Sequence, residues 1–169
     1  QRVALGRCIT REPALFLLDE PFSNLDQRLR EKYRANLKTL LEHFKITTVY
    51  VTHHQQEALV LGDVLAIMNA VRIEQVGAFE YIYNYPKTLF VAEFFNFDTD
   101  TPAINLIDGQ YLSEEFRGMD VGVRPRDIEV FEEEKDNCLK GRLTDVRHIP
   151  VKQIPILMLQ VGPKEVCVN

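Results

Sequence analysis

Five consecutive apolar residues, Ala14-Leu15-Phe16-Leu17-Leu18, run without alternation into two carboxylates, Asp19 and Glu20. A strand with one wet face alternates apolar and polar side chains, so this one is expected to be buried on both faces of a parallel sheet. Parallel neighbours need crossover helices, and the next segment supplies one. From Gln27 to Phe44 the residues Leu29, Tyr33, Leu37, Leu40, Leu41 and Phe44 fall on a single helical stripe, with Asp26 as the N-cap. Ile46 to Val51 reads as a second buried strand that delivers Thr52-His53-His54 at its C-terminal end. Gln55 to Leu61 then forms a short helix stopped by Gly62. Val64 to Met68 and Val71 to Val76 follow as strands joined by Asn69-Ala70 and closed by Gly77. Strand, helix, strand, helix, strand is the order of an α/β domain with a mostly parallel sheet.

Gln1 to Thr10 has a helical distribution of Val3, Ala4, Leu5 and Ile9 that Pro13 closes. Because the chain opens on Gln1 in helical texture, its natural start is expected upstream. Glu80 to Pro86 and Leu89 to Phe95 suggest two short helices around a proline turn. Beyond Asn96 the texture changes to short β-prone pieces, Val121 to Val123, Ile128 to Phe131, Gly141 to Val146 and Ile156 to Val161, as in a small barrel. Glu132 to Asn137 is expected to be a solvated loop. Charge changes at the same place: residues 1–95 carry 11 basic and 11 acidic side chains, whereas the remainder carries 9 and 14. These shifts predict two domains, 1–95 and 96–169.

The net charge of −5 has the wrong sign for a generic nucleic-acid binder. Apolar runs of five residues fall far short of the ~20 needed to cross a bilayer, and no signal-like segment opens the chain. Cys8, Cys138 and Cys167 are odd in number and far apart, which suits a reduced, cytoplasmic setting better than a disulfide framework or a zinc motif.

Adjacent carboxylates at a strand end serve nucleotide hydrolysis when one stands near magnesium and the other orients or deprotonates the attacking water. Asp19 and Glu20 fit that division, although two acids capping a strand would look the same. His53 is expected beside them, on the C-terminal edge where open α/β sheets place ligands. His53 next to His54, with Glu57 four residues after His53, could suggest a metal site, but a third ligand and HExxH spacing are both missing from the motif.

With those residues in place, residues 1–95 resemble the second half of the nucleotide-binding domain of an ABC transporter, especially the ATP-binding subunits of bacterial sugar importers. Gln1 to Arg7 is similar to the helix after the LSGGQ signature. Leu15 to Pro21 looks like Walker B with its catalytic glutamate, Ser23-Asn24-Leu25-Asp26 like the D-loop, and Val51-Thr52-His53 like the strand entering the histidine switch. The resemblance implies the C-terminal half of a P-loop NTPase domain. It also implies that Asp19 holds magnesium through water, Glu20 polarises the attacking water and His53 contacts the γ-phosphate of ATP. Gln1 and Asp26 would lie at the nucleotide, Asp26 near the Walker A loop of an opposing subunit.

Two departures stand out: His54-Gln55 replaces the importers' usual Asp-Gln, with an apparent extra Gln56, and Cys8 stands where alanine is common. Residues 96–169 are similar to the OB-like TOBE barrel of these importers, with Gly122-Val123-Arg124-Pro125-Arg126-Asp127 as the shared element. The segment from Asn105 to Gly122 is short for the family and the chain stops at Asn169, which leaves the completeness of the barrel open. No GxxxxGK[ST] loop occurs in the 169 residues, so the chain alone is expected not to hydrolyse ATP.

The reading favoured is an importer ATPase, cytoplasmic and peripheral to the membrane's inner face, without membrane insertion or nucleic acid. Its partners would be a second ATP-binding subunit and membrane permease subunits, and its solute a sugar. The alternative is a non-catalytic regulatory or dimerisation module. A DNA-maintenance ATPase would be expected to continue into a coiled coil or a basic surface rather than an acidic barrel.

Overall fold

β1 (Leu15–Asp19) and β2 (Thr47–Val51) pair in parallel, with Leu15 opposite Thr47 and Asp19 opposite Val51, so both chains deliver their C-terminal ends to one edge. The computed structural model describes residues 14–23, 25–96, 101–131, 138–148 and 155–168. The expected Gln1–Thr10 helix, Asn24 and the Glu132–Asn137 loop lie outside the described residues. The chain divides into two units, Gln1–Tyr85 and Pro86–Asn169.

In the first unit, helix α1 (Gln27–Phe44) makes the crossover between β1 and β2. Asp26 caps it as its side chain accepts from the Leu29 amide at 3.1 Å. Of the expected stripe, Leu37 is fully buried, while Leu29 and Phe44 at the two ends are exposed. Phe22 lies 6.4 Å from the ring of Tyr33 on α1 and 6.4 Å from that of Tyr50 on β2, tying helix to strand. α2 (Gln55–Leu61) follows β2 directly, with Gln56 an ordinary first-turn residue.

The expectation that β1 and β2 are buried on both faces does not hold among the described residues. Phe16 is buried, but Leu15, Leu17, Val49 and Val51 on the opposite face are exposed, Leu17 by 72%. The reason is coverage: the tie through Phe22 draws α1 to the Tyr50 side, and no described element covers the other side of the ladder.

β3 (Leu65–Asn69) and β4 (Arg72–Gly77) form a separate antiparallel hairpin, so the parallel part of the described structure is the β1–β2 pair. Leu65 and Ile67 supply its buried face, and α3 (Phe79–Asn84) contributes buried Ile82 and Tyr83. The connecting residues are Ala70 and Val71, one position later than expected, with φ of 44° and 66°. Both lie in the left-handed region that the favoured two-residue turn demands, and that region is hardest on a β-branched side chain. Val71 is 95% exposed and gains no packing in return. Replacing Ala70-Val71 by Asn-Gly is therefore expected to stabilise the unit by about 1 kcal/mol. A urea midpoint that stays put or falls would show that this turn holds no strain.

The second unit opens with α4 (Leu89–Phe94), where Thr88 caps by accepting from the Val91 amide at 3.3 Å. β5 (Asn105–Asp108) pairs antiparallel with β6 (Asp120–Val123), and β7 (Arg142–Arg147), β8 (Ile156–Val161) and β9 (Lys164–Val168) form an antiparallel meander. Ile107 from β5 shares a core with Val161, Val166 and Val168 of the meander. The side chain of Asn105 behaves like a strand neighbour, donating to the Cys167 carbonyl at 2.7 Å and accepting from its amide at 2.9 Å. Lys164 reaches Asp120 at 2.6 Å. Ile128 to Phe131, expected to be a strand, is irregular: it leaves a 3-10 turn at Pro125–Asp127 and joins no ladder among the described residues. The chain is an α/β protein whose described strands form small sheets.

Candidate functional site

After Asp19 the chain turns sharply. Glu20 has φ of 45°, its amide donates to the Val51 carbonyl at 2.9 Å, and its own carbonyl accepts from the Ser23 amide at 3.2 Å. A non-glycine residue in the left-handed region costs about 1–2 kcal/mol, so its neighbours must hold it there. They do so through the side chain: Oε1 of Glu20 accepts from the His53 amide at 3.0 Å and contacts His53 Nδ1 at 2.5 Å. The strand ends that register places side by side are thus bolted together by one carboxylate. Its second oxygen, Oε2, is buried with no hydrogen-bond partner among the described residues.

The His53 hydrogen bond is the main influence holding the Glu20 carboxyl below its ordinary range, and partial burial opposes it. Glu20 is accordingly a carboxylate at neutral pH. With Nδ1 committed to Glu20, the Nε2 edge of His53, a residue whose side chain is 67% exposed, is left for a ligand.

Behind this pair lies a network that the sequence did not advertise. Glu57, in the first turn of α2, is 1% exposed. Its Oε2 accepts from the Tyr50 hydroxyl at 2.8 Å and from the Thr52 hydroxyl at 2.9 Å, while its Oε1 faces Arg30 Nε at 3.7 Å. Thr52 Oγ1 in turn accepts from the His54 amide at 3.0 Å. Arg30 also donates to the Leu25 carbonyl at 3.0 Å, linking α1 back to the loop after Glu20. Burial, followed by the bond to Glu57, pushes the Tyr50 hydroxyl far above its ordinary range, so it stays a donor. The available sequence signal was a carboxylate in the first turn of a helix next to a strand-end histidine. By itself that signal suggests a metal ligand rather than a brace.

The other expected site residues are placed differently. Asp19 is exposed at the end of β1 and stays outside the Glu20–His53 pair. Asp26 has its carboxylate engaged in capping α1 and is not among the partners of Glu20 or His53. Gln1 lies outside the described residues. Arg30 and Arg34 of α1 face His53, His54 and Gln55 across a cleft of about 280 Å³.

Chemically, the edge offers an anionic oxygen pair with one lone acceptor, an imidazole with an open edge and an exposed carboxylate beside them. That set suits orienting a water and recognising a phosphoryl group.

No protein-family model matches the chain. Among curated proteins, it is 46% identical over 130 residues to an sn-glycerol-3-phosphate import ATP-binding protein of Rhizobium etli, a match covering 74% of this chain and 36% of that protein. A protein of the same description from Brucella abortus is 44% identical over 142 residues, covering 79% and 39%. A xylose/arabinose import ATP-binding protein of Haloferax volcanii is 40% identical over 152 residues, covering 78% and 39%. The chain spans less than two fifths of the length of each of these relatives.

Proposed function

This chain belongs to the import ATP-binding proteins of ABC transporters, and from that premise we propose that, in the whole protein, it supplies the Walker B and histidine-switch half of the ATPase site. The observation that carries the reading is the Glu20–His53 pair at the shared C-terminal edge of β1 and β2, with Glu20 Oε2 lacking a partner among the described residues. That oxygen is the acceptor for the attacking water, and the open edge of His53 is the contact for the γ-phosphate. The Glu57 network holds the His53-His54 turn while nucleotide comes and goes.

Asp19 is an exposed, hard oxygen donor beside the pair, which suits magnesium held through water. When bound, the ion neutralises phosphate charge. Asp26, at the start of α1, is the residue offered to an opposing subunit, and Gln1 belongs to the segment that approaches nucleotide.

Residues 1–95 are then the second half of an ABC nucleotide-binding domain and residues 96–169 an OB-like barrel built on the β5–β6 and β7–β9 sheets. The working assembly is a dimer of ATP-binding subunits on the cytoplasmic face of membrane permeases. No helix among the described residues is long and apolar enough to cross a membrane, which agrees with a peripheral subunit. Relatives named for sn-glycerol-3-phosphate and for xylose/arabinose import support a sugar or sugar-like solute.

Magnesium-dependent phosphate release tests the reading. A longer protein that carries a phosphate loop ahead of this sequence is expected to turn over ATP, and the 169-residue chain is not. Turnover by the short chain would overturn this account of the site, and none by the long one would favour the non-catalytic module.

A further inference from the structure

We propose that Glu20, His53 and His54 form a binding site for a divalent transition metal, zinc being the ion that their donor set fits best. Each residue can present one ligand atom such that all three lie within 4.8 Å of one another. The rings of His53 and His54 are 4.0 Å apart between centroids, and His53 Nδ1 already lies 2.5 Å from Glu20 Oε1. Donors around a tetrahedral zinc ion stand about 3.3 Å apart, the consequence of bonds of about 2.0–2.1 Å. Small side-chain rotations, an opening at one pair and a closing at the other, therefore suffice.

The chemistry of the donors chooses the ion. Two imidazole nitrogens with one carboxylate suit zinc or copper, whereas magnesium keeps to oxygen and water. The surroundings resemble those of a held site. The His53 amide fixes Glu20, and the His54 amide is fixed by Thr52, whose hydroxyl is fixed by buried Glu57. Glu20 Oε2 is a buried oxygen still without a partner among the described residues, an independent mark of unmet acceptor capacity at the site. His53 is exposed, so an ion enters from solvent without unfolding. Three protein ligands leave the fourth position to water. The hydrogen bond between Glu20 and His53 gives way to the ion.

The site goes beyond ATP hydrolysis and does not depend on it, so its test uses binding alone. Zinc chloride titrated into the 169-residue chain, read by competition with a chromogenic chelator, is expected to fill one site per chain. His53→Ala, His54→Ala and Glu20→Gln should each weaken binding at least about tenfold, on the scale seen when a metal site loses even an outer partner. Far-UV circular dichroism identifies any variant that fails to fold, and cobalt(II) absorption of the unaltered chain gives a second measure through a spectrum of nitrogen and oxygen ligation without thiolate bands. Combined Cys138→Ser and His148→Ala, which removes an exposed thiol and a separate imidazole, should leave the affinity within about twofold. Undiminished zinc binding in the folded His53→Ala or His54→Ala chain, loss of binding in the Cys138→Ser, His148→Ala chain, or no binding at all would overturn the proposal.

Discussion

Glu20→Gln in the complete protein is expected to lower steady-state phosphate release by about 100-fold or more, with ATP affinity changed little. Glutamine keeps the shape and one carbonyl oxygen, so the bond from the His53 amide survives and the β1–β2 edge stays assembled. What vanishes is the negative charge and the basic lone pair on the second oxygen, the group offered to water. His53→Ala should produce a loss of the same order for a different reason, since it removes the imidazole at the phosphoryl contact and also unlatches Glu20. Near-normal turnover in either variant removes that residue from the mechanism.

The same pair has a signature without nucleotide. Because His53 depresses the Glu20 carboxyl, the pair's stabilisation is fully present above the carboxyl's unfolded pKa. It is lost as pH falls through the lower folded value. The extra acid sensitivity of the unaltered chain relative to His53→Ala should therefore lie below the ordinary glutamate range.

The largest loss of stability is expected at Glu57. Its carboxylate accepts from Tyr50 and Thr52 and faces Arg30 Nε at 3.7 Å inside the protein, and Glu57→Ala removes the acceptor of both hydroxyls and the charge opposite Arg30. Breaking a buried pair from one side typically costs about 3–5 kcal/mol. Arg30 keeps 22% of its side-chain exposure, which places Glu57→Ala near the lower end, about 3 kcal/mol. Glu57→Gln retains an acceptor for the two hydroxyls and should cost markedly less. Urea denaturation followed by circular dichroism checks the order, and a Glu57→Ala loss below about 1 kcal/mol would show that the network is not a brace.

The order of elements in the first unit was legible because each carries its own period. Leu29 to Phe44 repeats as only a helix does, and Ala14 to Leu18 and Ile46 to Val51 are too short and too apolar to be anything but strands. The meeting of Glu20 and His53 was legible too, because parallel strands of equal length must end at a common edge. Periodicity says nothing, however, about what covers a face. Leu15, Leu17, Val49 and Val51 read as doubly buried, yet the described elements shield only the Phe16 side.

β5 and β9 escaped notice for a related reason. Asn105 to Asp108 and Lys164 to Val168 are short and punctuated by polar residues, and their strand character comes from partners distant in sequence. Ile128 to Phe131 is the opposite case, having strand-like residues but no place in a described ladder. Glu57 could not be foreseen as a brace, because a carboxylate in a helix's first turn is ordinarily a solvated one, and only the convergence of Tyr50, Thr52 and Arg30 makes burial tolerable.

The amide clasp between Asn105 and Cys167 joins residues 62 apart in the chain. Closing so long a loop costs entropy before any contact repays it. Neither the β5–β6 ladder nor the meander can bury this clasp alone, and half of it, once buried, would be an orphaned polar group. A state in which one sheet of the second unit waits for the other would leave that amide pair half made. The unit is therefore expected to fold and to unfold in one cooperative step rather than sheet by sheet.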